Sequence, residues 1–460
     1  MREIDKKRKH SSGEPSGIGL FAKKPRTSSE FTDLEISLVT GDSHTFLYIK
    51  VDGEDKLYAS GKNNCGQLGL GDETQRNKWT EVTQLGVIMI EKVMAGGLHS
   101  ILIGKDKDGN DKLYACGRNF EGQLGLGHNE HRDKWTKVPF PKGFTIENVL
   151  AGGDHSFLQG KGKDGEDKIY ASGSNMHGQL GLGNFTKRTE WTEVTLPRGF
   201  SVEKVLVGDY HSILKGKGKN GEDKLYASGS NHFGQLGLGD TTDRDQWTEV
   251  DIPQGFRLEK ALVGSCHSIL KGKSKDGEDK LYACGYNLYG QLGLGDKDDR
   301  NEWTAVPLPR NFTIQKVMAG GSHSFLKGKG KDGEDKLYAS GYNYYGQLGL
   351  GDTKDRDKWT EVTQPEGFTI EKVLGGYGHS ILKGKGKGGE DKLYASGWNN
   401  YGQLGLGDTK NRDKWTEVPI ADLIKKSQKD VNDRKQEDDV SEASGSSSFS
   451  MGLNPRDYIF

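Results

Sequence analysis

Apolar residues in this chain fall in short clusters separated by glycine and charge. Residues 201–250 show the pattern. Val205-Leu206-Val207, His211 to Lys215, Lys224 to Ser228 and Trp247 to Val250 are four brief runs of β-forming side chains. Such runs, bounded by glycine, read as short strands. No stretch of this region carries a sustained helical period. The same pattern recurs along the chain. Gly-Gln-Leu-Gly-Leu-Gly begins at Gly66, Gly122, Gly178, Gly234, Gly290, Gly346 and Gly402, always 56 residues apart. Trp-Thr follows at Trp79, Trp135, Trp191, Trp247, Trp303, Trp359 and Trp415, again at 56. A His-Ser or His-Thr pair stands at His44, His99, His155, His211, His267, His323 and His379, with a first step of 55.

Seven units of four strands are the arithmetic of a seven-bladed β-propeller, an all-β fold of antiparallel sheets set around an axis. A linear solenoid would need distinct polar capping repeats, and the units are too alike for that. The array spans residues 33–420, starting on an innermost strand and ending on an outermost one. That frame is compatible with a small stagger and closure by side-chain packing, but how the ring closes stays open at the level of sequence.

Composition narrows the picture. Apolar content is 32%, with 68 glycines and 11 prolines, which fits many tight turns. The formal net charge of -1 argues against a chain that binds nucleic acid over its whole surface. Cys65, Cys116, Cys266 and Cys284 share no metal-site spacing and read as reduced thiols. No apolar run approaches a membrane span, and the amino terminus lacks the apolar core of a signal peptide.

The unit from Leu225 to Gly239, Leu-Tyr-Ala-Ser-Gly-Ser-Asn-x-x-Gly-Gln-Leu-Gly-Leu-Gly, followed by Val-x-Gly-x-x-His-Ser, resembles the repeat of the regulator of chromosome condensation (RCC1) family. The resemblance covers the whole array and implies a seven-bladed propeller. It leaves function open, because the fold serves a guanine-nucleotide exchange factor for the small GTPase Ran, a plant ultraviolet receptor and ubiquitin ligases. A photoreceptor of this kind needs a tryptophan cluster, whereas seven of the eight tryptophans here belong to the Trp-Thr repeat. Only Trp398 is additional. Ligase chemistry would require several hundred further residues. In the exchange factor, acids just before the ring histidines face the GTPase, and the matching positions here hold Asp42, Asp154 and Asp209. Asp154 and Asp209 follow one another in the order opposite to the exchange factor's, and the uniform period leaves no blade room for an inserted wedge.

Differences between units single out one face. The variable positions of Gly-x-Asn-x-x-Gly hold Lys62, Asn64 and Cys65, then Arg118, Phe120 and Glu121, in blades one and two. In blades five to seven they hold Tyr286 and Tyr289, Tyr342, Tyr344 and Tyr345, then Trp398 and Tyr401. With Tyr210 and Tyr377 nearer the channel, this aromatic arc is either a protein-binding surface or packing between blades. The seven histidines cannot converge on one ion and are expected to brace their own turns, so no metal and no cofactor is expected. The Lys-Gly-Lys-Gly-Lys-Asp-Gly-Glu-Asp-Lys hairpins on the other face read as a solvated, mixed-charge rim.

The ends differ in kind. Residues 1–32 read as a disordered basic tail carrying Lys6, Lys7, Arg8 and Lys9, then Lys23, Lys24 and Arg26. These clusters point to importin and the nucleus, or to DNA or nucleosome contact, and to a host nucleus if the source is a bacterium or virus; otherwise the chain would be cytoplasmic. Residues 421–460 are polar, Ser-rich and expected to be a disordered tail after one helical turn. The expectation is a non-enzymatic nuclear interaction scaffold with a protein partner on one propeller face, with exchange activity on a Ran-type GTPase as the alternative.

Overall fold

The computed structural model describes residues 34–445 apart from 84 and 87, with side chains described through Arg434. It contains seven four-stranded antiparallel sheets, and in each the strands lie side by side in chain order. We label them A to D from the axis outward. In blade four they are Ser201–Val207, His211–Lys217, Asp223–Gly229 and Arg244–Val250. Among the described residues no blade borrows a strand from the other end of the chain. The seam between blades seven and one is closed by side-chain packing, a point that the sequence left open.

Each hydrophobic core lies between two blades. Leu206, Ile213, Leu225, Leu236 and Val250 of blade four meet Leu258, Ala261 and Leu270 of blade five. The repeat tryptophan tightens the same junction. Gly237 has a φ of +68°, and a Cβ there would lie 2.7 Å from the ring of Trp303 in the next blade. The glycine is needed both for its left-handed backbone and for the indole that lies on it. At the seam Gly405 covers Trp79 in the same way, and Ile381, Leu393 and Val418 of blade seven pack with Ile36, Leu47 and Ile49 of blade one.

A second device links the blades. His44 Nε2 lies 2.8 Å from Ser100 Oγ, one blade on. The contact repeats from His99 to Ser156, His155 to Ser212, His211 to Ser268, His267 to Ser324 and His323 to Ser380, at 2.8–3.1 Å. His379 closes the circle on Thr45 Oγ1 at 3.3 Å. Ser100 Oγ donates its proton to the Gln67 carbonyl at 2.8 Å, so it must accept from His44 Nε2–H. That puts a proton on Nε2, and burial, which pushes His44 down to about 3, keeps the imidazole neutral. The expectation that each histidine braces its own turn is therefore corrected: it grips the hydroxyl of the neighbouring blade, a relation that spacing within one repeat does not reveal.

Strand A carries a β-bulge in blades two to seven. In blade four Val202 pairs with Gly216 and Lys204 with Lys215, leaving Glu203 outside the ladder. A Cβ at Gly216 would lie 2.0 Å from the Ser201 carbonyl oxygen, which accounts for the glycine in the recurrent Lys-Gly-Lys of strand B. Blade one has Ile49 there, and its A–B register runs unbroken from Leu34↔Val51 to Thr40↔Thr45.

The C-terminal segment differs from the disordered tail expected for residues 421–460. Ala421–Gly445 is an α-helix. Leu423, Ile424 and the buried Ser427 and Val431 form one stripe against blade one. Tyr58 Oη meets Ser427 Oγ at 3.3 Å, Lys426 pairs with Glu81 at 2.8 Å, and Asp430 with Lys56 at 3.2 Å. A stripe one or two residues wide per turn is easily lost among charges when the sequence is read alone. Residues 446–460 and 1–33 lie outside the described residues.

Candidate protein-binding face

The A–B turns and C–D loops of every blade emerge on one face. Each C–D loop is held from below by its asparagine. Asn231 Nδ2 donates to the Asp240 carbonyl at 2.9 Å, and its Oδ1 accepts from Leu236 N at 3.0 Å. The ion pair of Arg244 with Asp240, at 2.5 Å, clamps the base. With the loop fixed, the two residues after the asparagine take constant places. The first points into solvent, and the second packs toward its neighbours.

Among the described residues, seven of the eight exposed large hydrophobic side chains lie in these turns and loops. Phe120, Met176, Leu288 and Tyr344 occupy the outward position and are 60%, 70%, 52% and 66% exposed. Tyr210 and Tyr377 stand in the A–B turns. The apolar rim thus runs from blade two to blade seven. The arc drawn over blades five to seven leaves out Phe120 and Met176, which hold the same variable position in blades two and three and are as exposed as Tyr344.

The predicted arc residues are brought together. Tyr286 and Tyr289 meet edge to face with centroids 5.8 Å apart, and Tyr289 reaches Tyr342 at 4.5 Å across the blade junction. Tyr342 touches Tyr344 and Tyr345, Tyr345 stacks on Trp398 at 5.4 Å, and Trp398 meets Tyr401 at 5.1 Å. Lys62 of blade one caps the ladder 4.9 Å above the Tyr401 ring. All but Tyr344 are half-buried. The ladder packs the blade junctions, as the packing reading of the arc expects, and leaves its rings partly open to solvent.

At the centre, the A–B turns hold hands around the axis. Asp209 N donates to the Ser265 carbonyl at 3.3 Å, Ser265 N to Gly321 at 3.1 Å, and Gly321 N to Gly376 at 3.0 Å. Asp42 and Asp209 line this narrow mouth. Burial, then the charge of Asp154, pushes the Asp209 carboxyl up to about 6. Burial, then Asp209 and Asp154, holds Asp42 well above the usual carboxylate range. Asp154 is turned toward blade two, 3.3 Å from Arg118 and 2.8 Å from Gln123 Nε2. Burial, then Asp209, also raises Tyr377. The three acids therefore form one electrostatic group next to exposed tyrosines, although only two face the mouth.

Beside them His177 Nδ1 and His232 Nε2 both approach Asp243, at 2.9 and 3.4 Å, and the three donor atoms lie within 4.8 Å of one another. The expectation of no metal weighed the four cysteines and the seven ring histidines but not this group; burial pushes the ring histidines down to about 3 or 4. On the opposite face the lysines that end strand B pair with aspartates that begin strand C, as in Lys217–Asp223 at 2.7 Å and Lys385–Asp391 at 2.9 Å. Lys6, Lys7, Arg8, Lys9, Lys23, Lys24 and Arg26 lie outside the described residues.

Six segments, residues 54–103, 110–159, 166–214, 278–326, 334–382 and 390–453, match the family model for the regulator of chromosome condensation (RCC1) repeat. The chain belongs to the RCC1 repeat family. The matched RCC1 unit is offset from the blade: residues 54–103 hold strands C and D of blade one with A and B of blade two. Among curated RCC1-like relatives, the chain is 29% identical over 328 residues to the ultraviolet-B receptor UVR8 of Arabidopsis thaliana, covering 71% of this chain and 69% of that protein. It is 32% identical over 351 residues to the X-linked retinitis pigmentosa GTPase regulator of Mus musculus, covering 64% and 33%. It is 25% identical over 374 residues to the human E3 ubiquitin-protein ligase HERC2, covering 80% and 7%. The chain therefore spans a third of the GTPase regulator and a small part of the ligase. Of solved structures, Prp20p from Saccharomyces cerevisiae aligns with a TM-score of 0.62 at 20% identity, covering 79% of this chain and 86% of that one. Yeast RCC1 bound to Kap60 aligns with 0.63 at 18% identity, covering 92% of each. At these identities the likeness is one of fold.

Proposed function

We propose that this chain is a non-enzymatic interaction scaffold that docks a protein partner on the face carrying the aromatic ladder, and that it acts in the nucleus. The observation that carries the reading is the concentration of exposed apolar residues on one face, continuous with the Tyr286–Tyr401 ladder and an acidic mouth. Aromatic anchors around a centre of one charge are what a specific protein interface needs. The partner this fits presents basic residues to Asp42 and Asp209 and apolar side chains to Phe120, Met176, Leu288 and Tyr344. The relation to the ultraviolet receptor does not extend to its activity, because the repeat tryptophans here sit under loop glycines. Importin, and DNA or a nucleosome, are the partners proposed for the basic clusters of residues 6–9 and 23–26. Yeast RCC1 bound to Kap60, and Prp20p with its histone binding, support that assignment by family.

The second reading is a binder or exchange factor for a Ran-type GTPase. It is favoured by Asp42 and Asp209 at the mouth, with Asp154 electrostatically coupled to them from the side of blade two, and by relatives named for a GTPase or for binding to Gsp1p. Nucleotide release from purified Ran separates the two. Release that the chain accelerates, and that Asp42→Asn with Asp209→Asn abolishes, establishes the GTPase reading. Unchanged release, with partner recovery from nuclei lost in Phe120→Ala, Tyr344→Ala, Tyr377→Ala, supports the scaffold. Recovery unchanged in that triple variant rejects this face. Loss of salt-sensitive DNA retention on removing residues 1–30 tests the tail.

A further inference from the structure

The axis of the propeller holds a second chemistry, on the side away from the acidic mouth. A cavity of about 620 Å³ is lined by the inner strands of the blades, and Lys92, Lys204, Lys260, Lys316 and Lys372 all contribute to it. They are the same position of strand A in blades two, four, five, six and seven; Asn148 holds it in blade three and Ser37 in blade one. The bulge places them there. At each one the preceding residue, Glu in five blades and Gln315 in blade six, drops out of the ladder, so its side chain parts from that of the lysine or, in blade three, of Asn148. The glutamates turn outward onto strand B lysines, as in Glu259–Lys271 at 2.6 Å and Glu371–Lys383 at 3.6 Å. The inner lysines are left facing one another.

No Asp or Glu lines this cavity among the described residues. Lys92 donates to Asn148 Oδ1, and Lys316 to the Glu371 carbonyl at 2.6 Å. Both are neutral acceptors. Burial, and after it the charges of other lysines alone, pushes Lys92, Lys204 and Lys372 below the usual lysine range. This stands out in a chain of net charge -1 in which strand-end lysines such as Lys161, Lys217 and Lys385 each meet an aspartate. Five cations in a recess walled by Val205, Leu262 and Val317 repel one another through a medium that screens poorly. An anion at the centre turns that repulsion into attraction.

We propose that the axial cavity is a binding site for a compact polyphosphorylated small molecule, held by the ring of Lys92, Lys204, Lys260, Lys316 and Lys372. The cavity volume lies within the range of small-molecule sites and excludes a folded macromolecule. Lysines are point charges suited to several phosphoryl groups at once. Asp42 and Asp209 close the other end to anions, so the ligand enters from the hairpin face. This site is separate from the protein-binding face, and neither assignment depends on the other.

The test is titration calorimetry of the full chain with inositol hexakisphosphate and with inorganic tripolyphosphate in 150 mM salt, alongside thermal melts. Binding of either at micromolar affinity, weakened at least tenfold in Lys204→Met/Lys260→Met and in Lys92→Met/Lys372→Met, is the expected result. Preference for one of the two tells a cyclic from a linear polyphosphate. Without ligand these variants should melt no lower than the parent, since repulsion has been removed, so a folding defect cannot imitate the loss. Lys163→Met/Lys219→Met, on the exposed hairpins, should bind as the parent does. The proposal is overturned if neither compound binds, if inorganic phosphate alone binds as tightly, if the channel variants bind unchanged, or if the hairpin variant loses as much.

Discussion

Lowering the pH from 7.5 to 5.5 should strip this propeller of most of its stability. The seven ring histidines are buried and neutral, each donating Nε2–H to the next blade, and their folded values lie at about 3 or 4. In the unfolded chain a histidine titrates near about 6.5. A group whose folded value is depressed in this way and which charges on protonation favours the unfolded state as the pH falls below that value. Its contribution is intact above about pH 6.5 and disappears on the way down to the folded value. At pH 5.5 the difference is about 1.4 kcal/mol per histidine. The result is insensitive to the folded value as long as that stays below about 4.5. Seven such groups sum to about 10 kcal/mol, the size of a typical domain's whole stability. Asp42 and Asp209 work in the opposite direction, since their raised values favour the folded state as acid is added, and they offset a part. The measurement is the urea midpoint followed by tryptophan fluorescence at pH 7.5, 6.5 and 5.5. His155→Gln, which keeps a neutral donor for Ser212, should reduce the loss by about 1.4 kcal/mol, one histidine's share. A midpoint that stays put between pH 7.5 and 5.5 would refute the neutral ring.

Gly349→Ala should cost about 3 kcal/mol in chemical denaturation, from a left-handed φ and a Cβ 2.4 Å from the Trp415 indole. Gly389→Ala, at φ +85° with open space around it, should cost only about 1 kcal/mol; equal costs would discount the indole contact. Thr45→Val removes the hydroxyl between His379 and the Gln403 carbonyl and should lower stability by about 2 kcal/mol, read as a drop in the melting midpoint. Val431→Ala should destabilise by about 2 kcal/mol if the C-terminal helix folds with the propeller, and by nothing measurable if it is detached. Binding of a basic partner at the mouth should strengthen as the pH rises through about 6, where Asp209 ionises; affinity that is flat from pH 5.5 to 7 would remove Asp209 from the interface.

Repetition made the blades readable. A strand in this fold is a few residues, too short to identify singly, but seven copies of Gly-Gln-Leu-Gly-Leu-Gly and Trp-Thr average out the uncertainty. Contacts between copies left no such mark. The His44–Ser100 bond joins residues 56 apart, so within one unit the pair looks like His-Ser in sequence, and its true partner lies in the next blade. The lysine ring was hidden for a related reason: Glu-Lys in strand A reads as surface charge until the bulge separates the two directions. Trp398, the tryptophan outside the repeat, and the tyrosines of blades five to seven could be picked out because they depart from a uniform background. Phe120 and Met176 stand at the same loop-tip place but in units whose neighbours are polar. The C-terminal helix had no second copy to compare with.

The blades are contiguous in sequence, and the seam repeats the contacts of every other junction. The chain's order around the circle is therefore almost arbitrary: a permuted gene that opened between blades three and four would code for the same set of neighbours. What marks the present origin is slight, namely a threonine where the other blades have serine, an unbulged inner strand, and a helix laid beside the join. A protein built this way records its ancestry as copying of one 56-residue module. Novelty is confined to the few loop-tip and axial positions that copying left free to drift apart.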